Sequence, residues 1–268
     1  MINKECYVGE IGINNHGTRM KIVKVRNKSD IDIQFLDKNE YVKEHVQYKA
    51  FSLGQVKNPY DITVYGAGYL GVGKHKVSVD KIIANEYAAW ASMIKRCYSE
   101  GSAYMNKSYF RKATVCDEWH DYQNFGDWYD DNYIECEGRL HLDKDILHPG
   151  NKVYSPENCL LIPQSLNALF INVPNKTGLP NGVRKTSSEK FSSSYNGKHL
   201  GIFNTIEEAY IVHTKEKKND IIKRMEEIKD ILPEKVINAI YSFEFKLEND
   251  QNYNPIVEYK EEIKWLKL

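Results

Sequence analysis

The chain has 268 residues, 41% of them hydrophobic and 28% charged, and its 37 Lys+Arg are matched by 37 Asp+Glu. That composition excludes a disordered chain and, at roughly 100–200 residues per domain, leaves room for two or three cores; zero net charge excludes a whole-protein basic surface, so any anion-binding surface must be local. No run approaches the roughly 18 apolar residues of a membrane span, the N-terminal residues lack a signal-peptide apolar stretch, and five cysteines without a CxxC pair fit reduced thiols better than a disulfide framework or a zinc finger.

In chain order, residues 1–79 read as a small β-rich domain. Met20–Val25 and Ile31–Phe35 alternate apolar and polar positions, with turns at Asn27–Asp30 and Asp37–Asn39. From about residue 80 the period becomes helical, with Tyr87, Trp90, Ala91, Ile94, Cys97 and Tyr98 on one face and a second helical stretch near Tyr122–Tyr133. A strand Arg139–Asp143, a polar loop, a strand Cys159–Ile162 and a short helix Gln164–Phe170 follow, and 80–173 is read as one domain. Pro174–Pro180 reads as a linker. The stretch 174–232 then has short strands near Gly182–Lys185, Lys190–Tyr195 and Lys198–Phe203, with Asn196-Gly197 as a hairpin turn. A long helix begins after Thr205, with Glu208 at capping-box spacing. Residues 233–268 read as a charged C-terminal extension, with one more helix expected in its tail, Glu244–Leu268.

Gly66-Ala67-Gly68-Tyr69-Leu70-Gly71 satisfies GxGxxG. A dinucleotide site needs a helix starting at those glycines and a returning strand ending in an acid. Val72-Gly73-Lys74-His75-Lys76 is a poor helix start, so a glycine-rich turn is expected instead.

The stretch richest in chemistry runs from Arg139-Leu140-His141-Leu142-Asp143-Lys144-Asp145 through Gly150-Asn151 and Tyr154-Ser155-Pro156-Glu157-Asn158-Cys159 to Asn167. Read as strand, loop, strand, helix, it brings a carboxylate at a strand end and an amide on the helix together across a hairpin. That set suits one hard divalent ion, which can stabilise the developing charge of a phosphodiester displacement. The stretch resembles the ββα-metal, or HNH, endonuclease motif of phage and bacterial proteins with LDK, GN and YSPENC. The elements Trp90–Tyr98 and Val115–Trp119 upstream also match it, so the resemblance covers about residues 86–170. It implies Asp143 and Asn167 as ligands of Mg²⁺ or Mn²⁺ and Asn158 as the residue tying the loop to the second strand. The family's general base is the His after that Asp, where this chain has Lys144. An ordinary lysine is protonated at neutral pH and cannot accept water's proton. Lys144 buried beside a metal, His141 on the same strand face as Asp143, and His148 in the loop are the alternatives.

Leu179-Pro180-Asn181-Gly182-Val183-Arg184, Lys190-Phe191, Lys198–Phe203 and Glu207–Tyr210 resemble the AP2 DNA-binding domain, a three-stranded sheet backed by one helix. Between 174 and 204, five cations (Lys176, Arg184, Lys185, Lys190, Lys198) face Glu189 alone, a local basic footprint suited to phosphates. Arg184, Lys185, Lys190, Tyr195 and Lys198 are the candidate DNA contacts. The expected fold is therefore α+β: a small β-rich N-terminal domain, a central HNH-like ββα-metal unit with flanking helices, and an AP2-like sheet plus helix. The expected function is a metal-dependent endonuclease of the homing or phage type. It would act on double-stranded DNA in a bacterial cytoplasm, with no organic cofactor and no membrane. Its rivals are a catalytically inactive DNA-binding protein on the same fold and a phage protein that binds a host protein.

Overall fold

The computed structural model describes residues 7–102 and 110–255; Cys6 and residues 256–268 of the extension lie outside them. The chain is α+β and divides into two compact units, 1–131 and 132–268, a boundary inside the 80–173 stretch that pattern alone groups together. No helix among the described residues is long and apolar enough to cross a membrane.

In the first unit, β1 (Ile11–Ile13), β2 (Arg19–Asn27), β3 (Asp30–Phe35) and β4 (Val42–Val46) form an antiparallel meander in chain order. Alternation sends Met20 and Ile22 of β2 inward with Ile31, Ile33 and Phe35 of β3, where Phe51 of the short helix α1 (Tyr48–Ser52) and Val56 close the core. The Asp37 carboxylate makes the turn after β3 by accepting from the Asn39 and Glu40 N–H groups. A hairpin, β5 (Ser78–Val79) and β6 (Ile82–Ile83), leads into α2 (Asn85–Tyr98). The two-residue strand β7 (Thr114–Val115) and α3 (Tyr122–Asp131) follow. α2 buries Trp90, Met93, Ile94 and Cys97 against an aromatic cluster with Trp119, Tyr122 and Phe125, and the Trp90 Nε1–H donates to the Trp119 carbonyl at 2.8 Å.

The GxGxxG stretch is a turn: Val64 bridges Gly68, and no helix starts there. Gly66 has open space around it and a φ of +73°, whereas Gly68 and Gly71 are explained by close approach. A Cβ on Gly68 would lie 2.7 Å from the Trp90 ring, and one on Gly71, at φ +66°, would lie 2.1 Å from an Asp121 carboxylate oxygen.

In the second unit, β8 (Leu140–Asp143) pairs antiparallel with β10 (Leu160–Pro163). The two-residue strand β9 (Val153–Tyr154) lies in the loop between them, and α4 (Gln164–Asn167) follows β10 directly. α4 is shorter than the Gln164–Phe170 helix that the pattern predicts, and the chain continues as turns. β11 (Val183–Lys185), β12 (Phe191–Tyr195) and β13 (Lys198–Phe203) form an antiparallel sheet in that order. Behind it runs α5 (Ile206–Glu226), opened by the Thr205–Glu208 capping box that the spacing predicts. α6 (Glu234–Ser242) lies ahead of the Glu244–Leu268 tail in which the pattern puts a helix; of that tail, residues 256–268 lie outside the described residues.

α5 belongs to two cores. Ala209 and Tyr210 in its first turns join Val183, Phe191 and Phe203 beneath the sheet. Ile221 and Met225 near its end join Leu160, Ile162 and Leu166 of the hairpin-helix segment and Val236 and Ile240 of α6. The stretch read as a linker is tied down. Asn175 N–H donates to Asn252 Oδ1, Asn252 Nδ2–H to the Val173 carbonyl, Asn254 N–H to the Gly178 carbonyl, and buried Asp250 accepts from Asn172 and from the Asn181 N–H.

His213 of α5 is buried under the sheet, with Nδ1 2.8 Å from the Ser194 carbonyl. Burial holds its imidazole below the ordinary value of 6.5, the nearby Lys217 ammonium adding to the effect against the Ser194 bond and Asp250. Below that value the unfolded chain takes up a proton that the folded chain resists, so stability falls as pH drops through 6.5 toward the depressed folded value. Melting curves between pH 7.5 and 5.5 should show this loss, and His213→Gln should flatten the slope.

Candidate functional site

The site is built on β8, β10 and α4. Register sets Asp143 opposite Leu160 and His141 opposite Ile162. His141 and Asp143, two residues apart, share one strand face, and Lys144 follows on the other side. Leu160, Leu161 and Ile162 are all buried, so the strand pair is a firm base for the polar groups it carries.

Asp143 ends its strand by accepting two backbone N–H bonds on Oδ1, from Asp145 at 2.8 Å and Ile146 at 2.7 Å. Burial nevertheless pushes its carboxyl above the usual carboxylate range. The two N–H bonds and Lys144 pull it down, and the neighbouring Asp145 carboxylate adds to the rise. A carboxylate made costly in this way gains more from a nearby cation than an exposed one does.

Asn167, at the end of α4, is buried. Its Nδ2 lies 3.3 Å from His141 Nδ1, and its Oδ1 is buried with no hydrogen-bond partner. An amide N–H on Nδ1 requires the lone pair there, which puts the neutral imidazole's proton on Nε2. A buried carbonyl oxygen without a donor is unfavourable by about 1–3 kcal/mol, and a hard cation satisfies it as well as a donor would. A strand-end carboxylate and this amide oxygen therefore fit an oxygen-preferring divalent ion such as Mg²⁺ or Mn²⁺.

Lys144 is not among these groups. It is only 7% exposed, and its Nζ donates to Asp145 Oδ1 at 2.7 Å and to the Asn151 carbonyl, 5.9 Å from the Tyr154 ring centre. Asn151 returns the contact: its Nδ2 donates to the Lys144 carbonyl at 3.1 Å and to that of Val153 at 2.8 Å, and its Oδ1 accepts from the Val153 N–H. Asn158 adds a long bond, 3.4 Å, to the same Val153 carbonyl. His148 is exposed. Asn151 and Asp145 carry no role in the sequence reading. The Gly-Asn pair ahead of a strand, a turn in which an Asn side chain bonds its own backbone, is the signal that points to Asn151.

On the sheet, Arg184 is exposed and lies in a cross-strand row with Ser192 and Ile202, whose side chain is 56% exposed, and Lys190 is exposed at the start of β12. The other three candidates are engaged inside the chain. Lys185 pairs with Glu189 at 2.6 Å and Lys198 with Glu216 of α5 at 3.0 Å. The Tyr195 hydroxyl donates to Asp220 of α5 at 2.9 Å. Burial, with that carboxylate, pushes the Tyr195 hydroxyl up to about 12.

Asp30, Asp32 and His45 also gather oxygens and an imidazole nitrogen in the first unit. There Arg26 supplies the cation, bonding Asp32 through both guanidinium nitrogens at 2.7 and 2.8 Å and Asp30 at 2.9 Å. The Arg26 bond holds the Asp32 carboxyl below its usual range, against burial.

Compared with protein-family models, curated proteins and solved structures, the chain matches none.

A divalent ion held by Asp143 and Asn167 would stabilise the folded form by mass action. Titration with Mn²⁺ should raise the melting temperature of the native sequence. Asp143→Asn and Asn167→Ala should each remove most of that rise, read by scanning calorimetry without DNA.

Proposed function

We propose that the chain is a metal-dependent DNA endonuclease of the HNH type, cutting phosphodiesters at the β8–β10–α4 site and holding double-stranded DNA through the β11–β13 sheet. The observation that carries the reading is one buried hairpin-helix unit holding a desolvated carboxylate, an imidazole and an amide oxygen with no donor. The bound ion would supply positive charge where the phosphate becomes more negative. Asp143 and Asn167 hold it, Asn158 and Asn151 keep the loop closed, and His141 handles the proton.

Asn167 governs His141 through Nδ1. With the amide N–H on Nδ1, Nε2 carries the proton and can donate it. Oδ1 is then left to the ion, and His141 serves as a proton donor. Attack of water on phosphorus breaks a P–O bond, the leaving oxygen takes the His141 Nε2 proton, and solvent takes the proton released by the water.

A second reading, DNA binding without cleavage, is favoured by one observation: the residue at the family's base position, Lys144, is committed to the loop. Incubation with supercoiled plasmid and Mn²⁺ or Mg²⁺ decides between the two. The native sequence should nick or linearise, EDTA and Asp143→Ala should abolish cleavage, and His141→Ala should slow it by about 10²–10⁴-fold. Tight, salt-sensitive binding without cleavage would establish the second reading instead.

For the sheet, Arg184→Ala should weaken DNA binding and lower the slope of log affinity against log salt by about one. Tyr195→Phe should leave that slope unchanged, since its hydroxyl is bonded to α5.

A further inference from the structure

We infer that Lys144 is a positioning residue: its buried ammonium closes the 144–151 loop beside the Asp143 turn and so holds the Asp143 carboxylate in place for a divalent cation. The inference rests on the endonuclease reading of the site and assigns a role that a lysine at a general base's position would not otherwise have.

Two observations carry it. First, the ammonium lies inside the loop, 7% exposed, bonded to Asp145 Oδ1 and to the Asn151 carbonyl. A buried ammonium bonded in this way is fixed by its partners, because breaking either bond leaves a desolvated charge short of a partner. Second, the contact is reciprocal. Asn151 bonds the Lys144 carbonyl while its own carbonyl takes the ammonium, so the two ends of the loop are locked to each other next to the Asp143 turn. Without the ammonium the loop opens, and the Asp143 carboxylate loses the closed turn that orients it toward a cation.

The test is Mn²⁺ affinity by calorimetry at pH 7 and at a temperature well below melting, on the full chain. Lys144→Met, which keeps the aliphatic stem, should lower the affinity at least tenfold. Lys144→Arg, which keeps the charge and the donors that close the loop, should recover most of it. Should Lys144→Met fail to fold, Asn151→Ala keeps the lysine, breaks its reciprocal bonds, and should itself lower Mn²⁺ affinity. Native affinity in both Lys144→Met and Asn151→Ala, or in Asn151→Ala alone where Lys144→Met is unfolded, overturns the role of Lys144 and leaves the metal site standing. No Mn²⁺ binding by the native sequence overturns the site and this role together.

Discussion

The second unit depends on one helix serving two cores. α5 is 21 residues long, about 31 Å at 1.5 Å per residue, so its ends can pack under different elements without bending. Its first turns lie beneath the three-stranded sheet and its last turns beside the hairpin-helix segment. A helix shared in this way transmits position: a shift of the sheet along α5 must be taken up by the packing around Ile221 and Met225, and close-packed cores resist such shifts. The bonds from Asp250, Asn252 and Asn254 to residues 172–181 add a second, polar link between the same two regions.

Charge at the site follows the same economy of groups. Burial makes an isolated carboxylate costly, and Asp143 is relieved only in part by its two backbone bonds. The chain leaves Asn167 Oδ1 without a donor while the other side of that amide holds His141. Polar groups in a well-packed region normally find partners; a desolvated carboxylate and an orphaned amide oxygen on one small unit call for a cation. At Asp30 and Asp32 the chain meets a similar cluster with an arginine of its own.

Elements set by local pattern were legible in the sequence. Period-two alternation marks β2 and β3, the Asn196-Gly197 turn marks the β12–β13 hairpin, and Thr205 with Glu208 marks the start of α5. Hydrophobic spacing marks α2, although Met93 of its buried face falls outside the set that the spacing selects. What the sequence does not carry is the choice of partner across long separations. Nothing near Pro174–Pro180 says that residues 252 and 254 bond it, and composition alone makes it a linker. Likewise the pattern offers Lys144 a place beside a metal and says nothing of the Asn151 carbonyl that takes its ammonium. At the site, strand alternation was enough to put His141 with Asp143, whereas the His141–Asn167 bond spans 26 residues and depends on α4 starting immediately after β10.

The same distinction bears on the sheet. Five cations between 174 and 204 look like a single basic face, yet Lys185 and Lys198 each have a carboxylate partner. Those pairs differ in kind from the Tyr195–Asp220 bond. Lys198 and Glu216 keep 68% and 36% of their side-chain surface exposed, and exposed pairs contribute about 0–1 kcal/mol, so a phosphate can replace Glu216 at little cost. Tyr195 is part of the packing between β12 and α5, next to the His213 ring, and freeing its hydroxyl would leave Asp220 short of a donor. Lys198 is thus free to exchange its carboxylate for another anion, and Tyr195 serves the fold.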